Sequence, residues 1–192
     1  RLITVPVGEN PSSVSAADLD GDADPTFEMN MFAHCGTGIR MNDCTGMDVK
    51  QNTFYDAQTG IATSASGDET NGFLEGNHFL NVDVGIVIRT RDHFSLSVVC
   101  NTLEYTSYGI LSEGILSDFG TPGLSSGNVF ISASMNANHQ LHHTGNLITY
   151  YCTPTNCITL TPDEGCIAET ATATNEMPCP VFNNLRHKLH GA

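Results

Sequence analysis

The chain has 192 residues, of which 40% are hydrophobic, so it is long enough to form one domain with a substantial core. Its formal net charge is −14, with 7 Lys and Arg residues against 21 Asp and Glu residues. A nucleic-acid-binding protein needs a positive surface to displace counterions, so this charge excludes that class. Because the sequence has no apolar run of transmembrane length, we also expect no membrane insertion.

Residues 1–27 precede the regular part of the sequence and predict an N-terminal strand or cap followed by an acidic turn. The carboxylates of this turn alternate along the chain and are those of Asp18, Asp20, Asp22 and Asp24. Oxygen ligands of this kind suit Ca²⁺, and the segment resembles the Asp-x-Asp-Gly-Asp turns of extracellular repeat proteins. An EF-hand loop that starts at Asp18 needs Glu at its twelfth position, where this chain has Met29. Bound Ca²⁺ and an unoccupied acidic turn are therefore both open interpretations.

Residues 28–150 contain a repeat made of two short motifs. The first motif is Asn followed two residues later by Phe or Leu, and its Asn residues are Asn30, Asn52, Asn77, Asn101 and Asn128. The second motif is Gly-Ile, and its Gly residues are Gly38, Gly60, Gly85 and Gly109. Each Gly follows its Asn by 8 residues, whereas successive Asn residues are 22, 25, 24 and 27 residues apart. One half of each repeat is therefore fixed in length and the other half carries loops, as in a solenoid.

The aligned repeats separate inward from outward positions. The apolar columns, which we expect to stack inside, are Phe32, Phe54, Phe79, Leu103 and Phe130; Cys35, Ala57, Val82, Thr106 and Ala133; and Ile39, Ile61, Ile86, Ile110 and Ala137. The freely varying column, which we expect to face outward, is His34, Asp56, Asn81, Tyr105 and Ser132. In the fifth copy Asn136 replaces the Gly of the second motif, which agrees with a left-handed backbone there, since Asn tolerates that conformation.

Coils of 22–27 residues with short β-runs and Asn or Gly corners predict an all-β fold, a right-handed parallel β-helix of about five coils. A leucine-rich repeat would show Leu at several fixed positions, and helical repeats would show a 3.6-residue period. The repeat resembles those of the pectate-lyase-like family of right-handed β-helices over about residues 28–150. That resemblance implies the fold. Enzymes of this kind cleave acidic polysaccharides with Ca²⁺-binding carboxylates and an Arg or Lys base on one outer strand face.

If the chain is such an enzyme, the resemblance makes Arg89, Arg91 and Asp92 the catalytic candidates. The alternative interpretation of this stretch is a solvated loop with a local ion pair, which contributes little stability. Arg40 and Arg89 do not share a column, and the paired acidic motifs of β-helix glycoside hydrolases are absent. We therefore expect a non-enzymatic module, with a polysaccharide lyase or glycoside hydrolase as the alternative.

The His-rich stretch before residue 150 is a second candidate for chemistry. His139 and His143 are four residues apart and would share a face only on a helix, which the sequence does not predict there. We therefore expect these residues and His142 to be surface histidines, with a metal site that also includes His187 and His190 as the alternative.

Residues 151–192 predict an irregular tail or a linker to a further module, because Thr, Pro and Cys dominate its first part. The clustered cysteines suggest disulfides and an oxidising compartment. The disulfide candidates are Cys152, Cys157, Cys166 and Cys179, and Cys152 with Cys157 and Cys166 with Cys179 is one possible pairing. The chain has 7 Cys residues, so at least one thiol stays free.

Chains with degenerate β-helix coils and a Cys/Pro-rich exit look like parts of the very large secreted surface proteins of Bacteroidota. This resemblance implies export through a type IX secretion system, with the sorting domain beyond residue 192. The expected location is therefore secreted or cell-surface, in an adhesin-like protein. The expected partners are flanking domains of the same polypeptide, polysaccharides or other surface proteins, and the secretion machinery.

Overall fold

The computed structural model describes residues 15–20, 25–44, 46–65, 70–132, 139–160 and 166–180, with only the backbone described at 15–20, 65, 70–71 and 92–94. Within these ranges the regular structure is all strand. The same ranges contain no helix that could cross a membrane.

Fourteen strands are present in the described part of the chain. In chain order they are β1 (Ser15–Asp20), β2 (Thr26–Glu28), β3 (Met31–Ala33), β4 (Thr37–Asn42), β5 (Met47–Lys50), β6 (Thr53–Tyr55), β7 (Thr59–Ala65), β8 (Thr70–Glu75), β9 (His78–Val99), β10 (Thr102–Leu116), β11 (Val129–Ser132), β12 (His139–Gly145), β13 (Ile148–Cys152) and β14 (Ala168–Thr172). All pairings between these strands are parallel, so the predicted β-solenoid is confirmed.

The strands stack into three faces, because β9 and β10 each bend through more than one face. Face A contains β3, β6, the starts of β9 and β10, and β11. Face B contains β1, β4, β7, the middle of β9, the second half of β10, and β12. Face C contains β2, β5, β8 and the end of β9. Strands β13 and β14 form a separate two-stranded sheet, and a parallel bridge joins Tyr150 of β13 to Phe119, which follows β10.

The Asn residues of the first motif form a buried ladder at the corner between faces C and A. The backbone N–H and the Nδ2 of Asn52 donate to Asn77 Oδ1 at 3.0 and 3.1 Å. Equivalent bonds of 2.9 to 3.2 Å join Asn30 to Asn52, Asn77 to Asn101, and Asn101 to Asn128. Asn77 Nδ2 also donates to the Val49 carbonyl of face C at 2.8 Å. The ladder therefore ties each coil to the next and satisfies buried backbone groups at the corner.

The glycines of the Gly-Ile motif serve close packing, not a left-handed backbone. None of Gly38, Gly60, Gly85 and Gly109 has a positive φ, so the left-handed interpretation of this position is wrong for the four described copies. A Cβ built at Gly60 would lie 2.4 Å from the Phe79 ring and 2.7 Å from the Gly85 carbonyl oxygen. Left-handed φ values of 54° to 68° occur instead just before each Asn, at Met29, Gln51, Gly76, Cys100 and Gly127. Asn136 lies outside the described residues.

The predicted inward columns form the core. The Phe32 and Phe54 rings stack with their centroids 5.2 Å apart, and those of Phe54 and Phe79 stack at 4.8 Å. The Ile column is fully buried at Ile39, Ile61, Ile86 and Ile110. Cys35 is buried as expected, and burial raises the pKa of its thiol. Ala133 and Ala137 lie outside the described residues.

The fourth coil departs from the predicted columns. The alignment places Tyr105 outward and Thr106 inward, but Tyr105 is fully buried and Thr106 is half-buried, so that assignment is wrong. The reason is a pair of register shifts between β9 and β10 on either side of Tyr105. In the preceding coils this corner has a left-handed residue, at His34, Asp56 and Asn81 with φ of 52° to 53°. Tyr105 lacks that conformation, so its side chain turns into the core.

Two disulfides join the described cysteines. The predicted bond between Cys152 and Cys157 is present. Cys179 pairs with Cys100, so the pairing of Cys166 with Cys179 is wrong, and Cys166 is a free thiol.

The tail reaches Cys100 because it runs alongside residues 125–127, which lie next to Cys100 at the following corner of the stack. The N–H of Ser125 donates to the Asn175 carbonyl at 3.0 Å, and the N–H of Met177 donates to Ser125 Oγ at 3.1 Å. These bonds hold the segment that contains Cys179 beside the left-handed residue at Cys100. The pairing of Cys100 with Cys179 therefore depends on hydrogen bonds between the irregular tail and residues far away in the sequence.

Digestion after Glu residues under non-reducing conditions is expected to reveal this connectivity by mass spectrometry. Cleavage should yield residues 76–104 joined to residues 177–192, because these peptides contain Cys100 and Cys179. Residues 114–164 should retain an internal bond, and residues 165–169 should contain an alkylatable Cys166. A bridge between residues 165–169 and 177–192 would contradict the structure.

Candidate functional site

The catalytic candidates suggested by the sequence lie on strand β9 and not in a loop. Arg89 Nε lies 3.1 Å from Glu113 Oε1, and both side chains are more than half exposed, at 59% and 56%. Since Glu113 belongs to the next coil, this ion pair joins two coils and contributes little stability. Arg91 is exposed, and the Asp92 side chain lies outside the described residues. Arg40 is aligned with a different column from Arg89, as predicted.

The acidic segment begins in strand β1. Asp18 and Asp20 belong to that strand, and Asp18 is paired across from Arg40 of β4. Asp22 and Asp24, like the side chains of the first two residues, lie outside the described part of the chain. Within that part no three His, Cys, Asp or Glu side chains come together as a metal site. Ca²⁺ binding by this segment stays a prediction.

A polar groove of about 360 Å³ follows the corner between faces A and B, and we call it the corner groove. Its polar lining consists of His34, Asp56, Gln58, Asn81, Asp83 and Thr106, and Cys35 and Ala57 form its apolar part. The first three coils each have one residue with left-handed φ at this corner, which stacks His34, Asp56 and Asn81 on one another. Asp, Asn and His are among the few residues that tolerate that backbone.

Hydrogen bonds along the stack fix the polar side chains of the corner groove. His34 Nδ1 lies 2.9 Å from Asp56 Oδ2, and Asn81 Nδ2 donates to Asp56 Oδ1 at 3.1 Å. Thr106 Oγ1 donates to Asp83 Oδ1 at 2.8 Å, and the hydroxyl of Ser107 donates to the same oxygen. Asp56 is therefore held from both neighbouring coils and Asp83 from one.

An alignment of equivalent positions in the repeats does not reveal this groove. Asp56 follows its Asn by 4 residues and Asp83 by 6, so an alignment of the repeats never places the two carboxylates together. They line one groove because the Asp83 N–H donates to the Ala57 carbonyl at 3.1 Å, which places Asp83 beside the residue that follows Asp56 in the preceding coil. The sequence signal that could have revealed the groove is that three successive repeats have His34, Asp56 and Asn81 at the same position. All three residue types tolerate a left-handed backbone.

The histidines of strand β12 separate into two environments. His139 and His142 lie outside, where Tyr108 stacks on His139 with ring centroids 4.8 Å apart. His143 is fully buried, so its prediction as a surface histidine is wrong. The Ser112 hydroxyl donates to His143 Nδ1 at 2.9 Å, and His143 Nε2–H donates to the Asn146 carbonyl at 3.0 Å. Both ring nitrogens are thus used within the fold.

Acidification is expected to destabilise the coil that contains His143. Burial lowers the pKa of His143 below its usual 6.5, although the hydrogen bond to Asn146 opposes this. Between the lowered pKa and 6.5 the unfolded chain binds more protons, so the free energy of unfolding rises with pH in that window. The stabilisation is complete above pH 6.5 and is lost as the pH falls toward the lowered value.

Urea unfolding from pH 7.5 to pH 5 measures this effect. His143→Gln should remove part of the pH dependence, whereas His142→Gln, on the outer side of the same strand, should retain it. Burial also lowers the pKa of His78, so some dependence will remain in His143→Gln. Identical pH profiles for His143→Gln and the unaltered chain would contradict the assignment.

Comparison with known proteins agrees with this geometry. The family described as "Right handed beta helix region" matches residues 12–162, which is more than half of the chain. No curated protein and no solved structure matches the chain significantly. The chain therefore belongs to the family of right-handed β-helix regions.

Proposed function

We propose that the chain is a structural or adhesive module of a large extracellular or cell-surface protein, in which the β-helix presents an elongated surface. The observation that supports this most is the Asn ladder, which runs inside the stack from Asn30 to Asn128. Because internal bonds hold the coils together, the outward columns are free to carry side chains for a partner. Flanking domains of the same polypeptide are the first partners of such a module.

The ion pairs of the outer surface support a non-enzymatic role. Arg89 pairs with Glu113, and Lys50 Nζ pairs with Asp48 Oδ2 at 3.0 Å. Lys50 also lies over the Phe73 ring at 4.9 Å. Two of the basic side chains that a lyase would need as its base are therefore engaged with neighbours on different faces.

A secreted or cell-surface location is part of the same proposal. Two disulfides in one small domain fit an oxidising compartment. The proposal also includes a relation to pectate-lyase-like repeats and export by the machinery of a type IX system, both of which rest on the resemblances of the sequence. Binding of Ca²⁺ by the acidic segment would also be consistent with an extracellular location.

A binding and cleavage screen of the purified chain tests the proposal. Acidic and neutral polysaccharides are offered with Ca²⁺ and with EDTA, and both retention and release of products are measured. Binding without products supports the adhesive module, and no interaction supports a purely structural one. Release of unsaturated or reducing ends would overturn the proposal.

One observation favours a glycoside hydrolase or polysaccharide lyase as the second candidate. The corner groove contains two carboxylates, Asp56 and Asp83, and glycoside hydrolysis commonly uses two such groups. If products are released, Asp56→Asn and Asp83→Asn should each abolish their release. Arg91→Gln, in strand β9, separates this site from the one that the family resemblance suggests.

A further inference from the structure

We propose that the corner groove binds a neutral glycan, with one sugar ring resting on Tyr55 and sugar hydroxyls donating hydrogen bonds to Asp56 and Asp83. This inference rests on the proposed adhesive function and names the class of ligand. Three observations carry it: the unused acceptors of the groove, the sign of its charge, and the exposed Tyr55 ring that contacts His34 of its lining.

The carboxylates of the groove retain acceptor capacity. Each oxygen of Asp56 accepts one hydrogen bond, from His34 or from Asn81, and a carboxylate oxygen has two acceptor positions. Asp83 Oδ1 receives two hydroxyl hydrogens from the next coil, and no donor among the described residues reaches Asp83 Oδ2. The groove thus presents several fixed acceptors to a ligand that is rich in hydroxyl donors.

The charge of the groove selects against acidic sugars. Among the residues that line it, His34 is the only one able to carry a positive charge, and its Nδ1 is already bonded to Asp56. A uronate would place a further carboxylate beside Asp56 and Asp83 without a partner, which is costly. The net charge of −14 repels polyanions from the whole surface as well. A neutral sugar incurs neither cost.

The ring of Tyr55 is held in place by its contact with His34. Tyr55 precedes Asp56 on face A and is 44% exposed. Its ring meets the His34 ring edge-on, with centroids 5.3 Å apart and an interplanar angle of 85°. Because the bond to Asp56 fixes His34, Tyr55 offers a pre-oriented apolar surface whose use costs little conformational entropy.

Calorimetric titration of the purified chain in EDTA tests the inference. The probes are hexasaccharides of glucose, mannose and xylose, with hexagalacturonate as the acidic counterpart. At least one neutral hexasaccharide is expected to bind, and hexagalacturonate is not. Tyr55→Ala and Asp83→Asn should each weaken binding roughly tenfold, since hydrogen bonds to charged groups and buried aromatic contacts have this magnitude.

Glu113→Gln is the matched control, because it removes an exposed carboxylate from face B and should leave the affinity unchanged. Circular dichroism of each variant verifies that the fold is retained. Failure of all neutral probes, tighter binding of hexagalacturonate, loss of binding in EDTA relative to Ca²⁺, or equal affinities in all variants would overturn the glycan site. These outcomes leave the structural module standing, whereas shortening of a hexasaccharide overturns the non-enzymatic function itself.

Discussion

Replacement of Asn77 by Ala is expected to lower the free energy of unfolding by about 2–6 kcal/mol. The substitution removes four hydrogen bonds, two accepted from Asn52 and two donated to Val49 and Asn101. It leaves the buried Asn52 N–H without its acceptor and the Val49 carbonyl without this donor, and each such group costs about 1–3 kcal/mol. The side-chain amides of Asn52 and Asn101 keep other partners. Asn77 and Asn52 are fully buried, so water cannot replace the lost bonds without a local opening of the stack.

Asn42→Ala is the control, because it removes a side-chain amide that does not belong to the Asn ladder. Asn42 is half-buried on face B, where its Oδ1 accepts one bond of 2.9 Å from Ser64 Oγ. Its replacement should cost about 1 kcal/mol or less. Urea unfolding of both variants, with the slope of the transition compared as well as its midpoint, gives the two values. If Asn77→Ala costs no more than Asn42→Ala, the ladder does not stabilise the coil as described.

Gly60→Ala is expected to destabilise the protein by about 3 kcal/mol or more through overpacking. The added methyl would lie 2.4 Å from two carbons of the Phe79 ring and 2.7 Å from the Gly85 carbonyl oxygen. The ring cannot move away freely, because Phe79 is fully buried and stacked on Phe54. A clash with a backbone oxygen of the next coil can be relieved only by separating the coils.

Gly123→Ala serves as the matched control, because its Cβ would meet nothing closer than Thr121 Oγ1 at 3.9 Å. That change should alter the melting temperature by little. The double variant Gly60→Ala with Phe79→Leu should cost less than the sum of the two single changes, because a smaller side chain relieves the clash. Additive losses would mean that Phe79 is not the obstacle.

The repeat allowed the core to be predicted because stacked coils place equivalent residues in equivalent environments. The Phe and Ile columns were assigned from spacing alone, and Phe54 and Ile61 are buried as expected. The burial of the Asn residues was not predicted. Spacing identified Asn77 as a fixed position, but only the structure shows that its amide bonds to the neighbouring coils.

The features that could not be predicted depend on contacts between residues that occupy different positions in the repeat or lie outside it. Tyr105 becomes inward through a local register shift, and an alignment of repeats assumes that no such shift exists. The bond between Cys100 and Cys179 joins a coil to an irregular tail across 79 residues, for which spacing contains no information. Asp56 and Asp83 share a groove although they differ in repeat position.

The bond between Cys100 and Cys179 also determines how the chain responds to a mechanical load. When flanking segments pull on the polypeptide, tension passes from one sulfur to the other and bypasses the residues between them. The later coils and the β13–β14 pair are then shielded, and only the coils before Cys100 can be unwound by force. Reduction of this single bond would release the 79-residue span between the two cysteines, except for the loop closed by the bond between Cys152 and Cys157. The released length is about 250 Å when fully extended. The redox state of the surroundings would thereby set how far the chain can stretch.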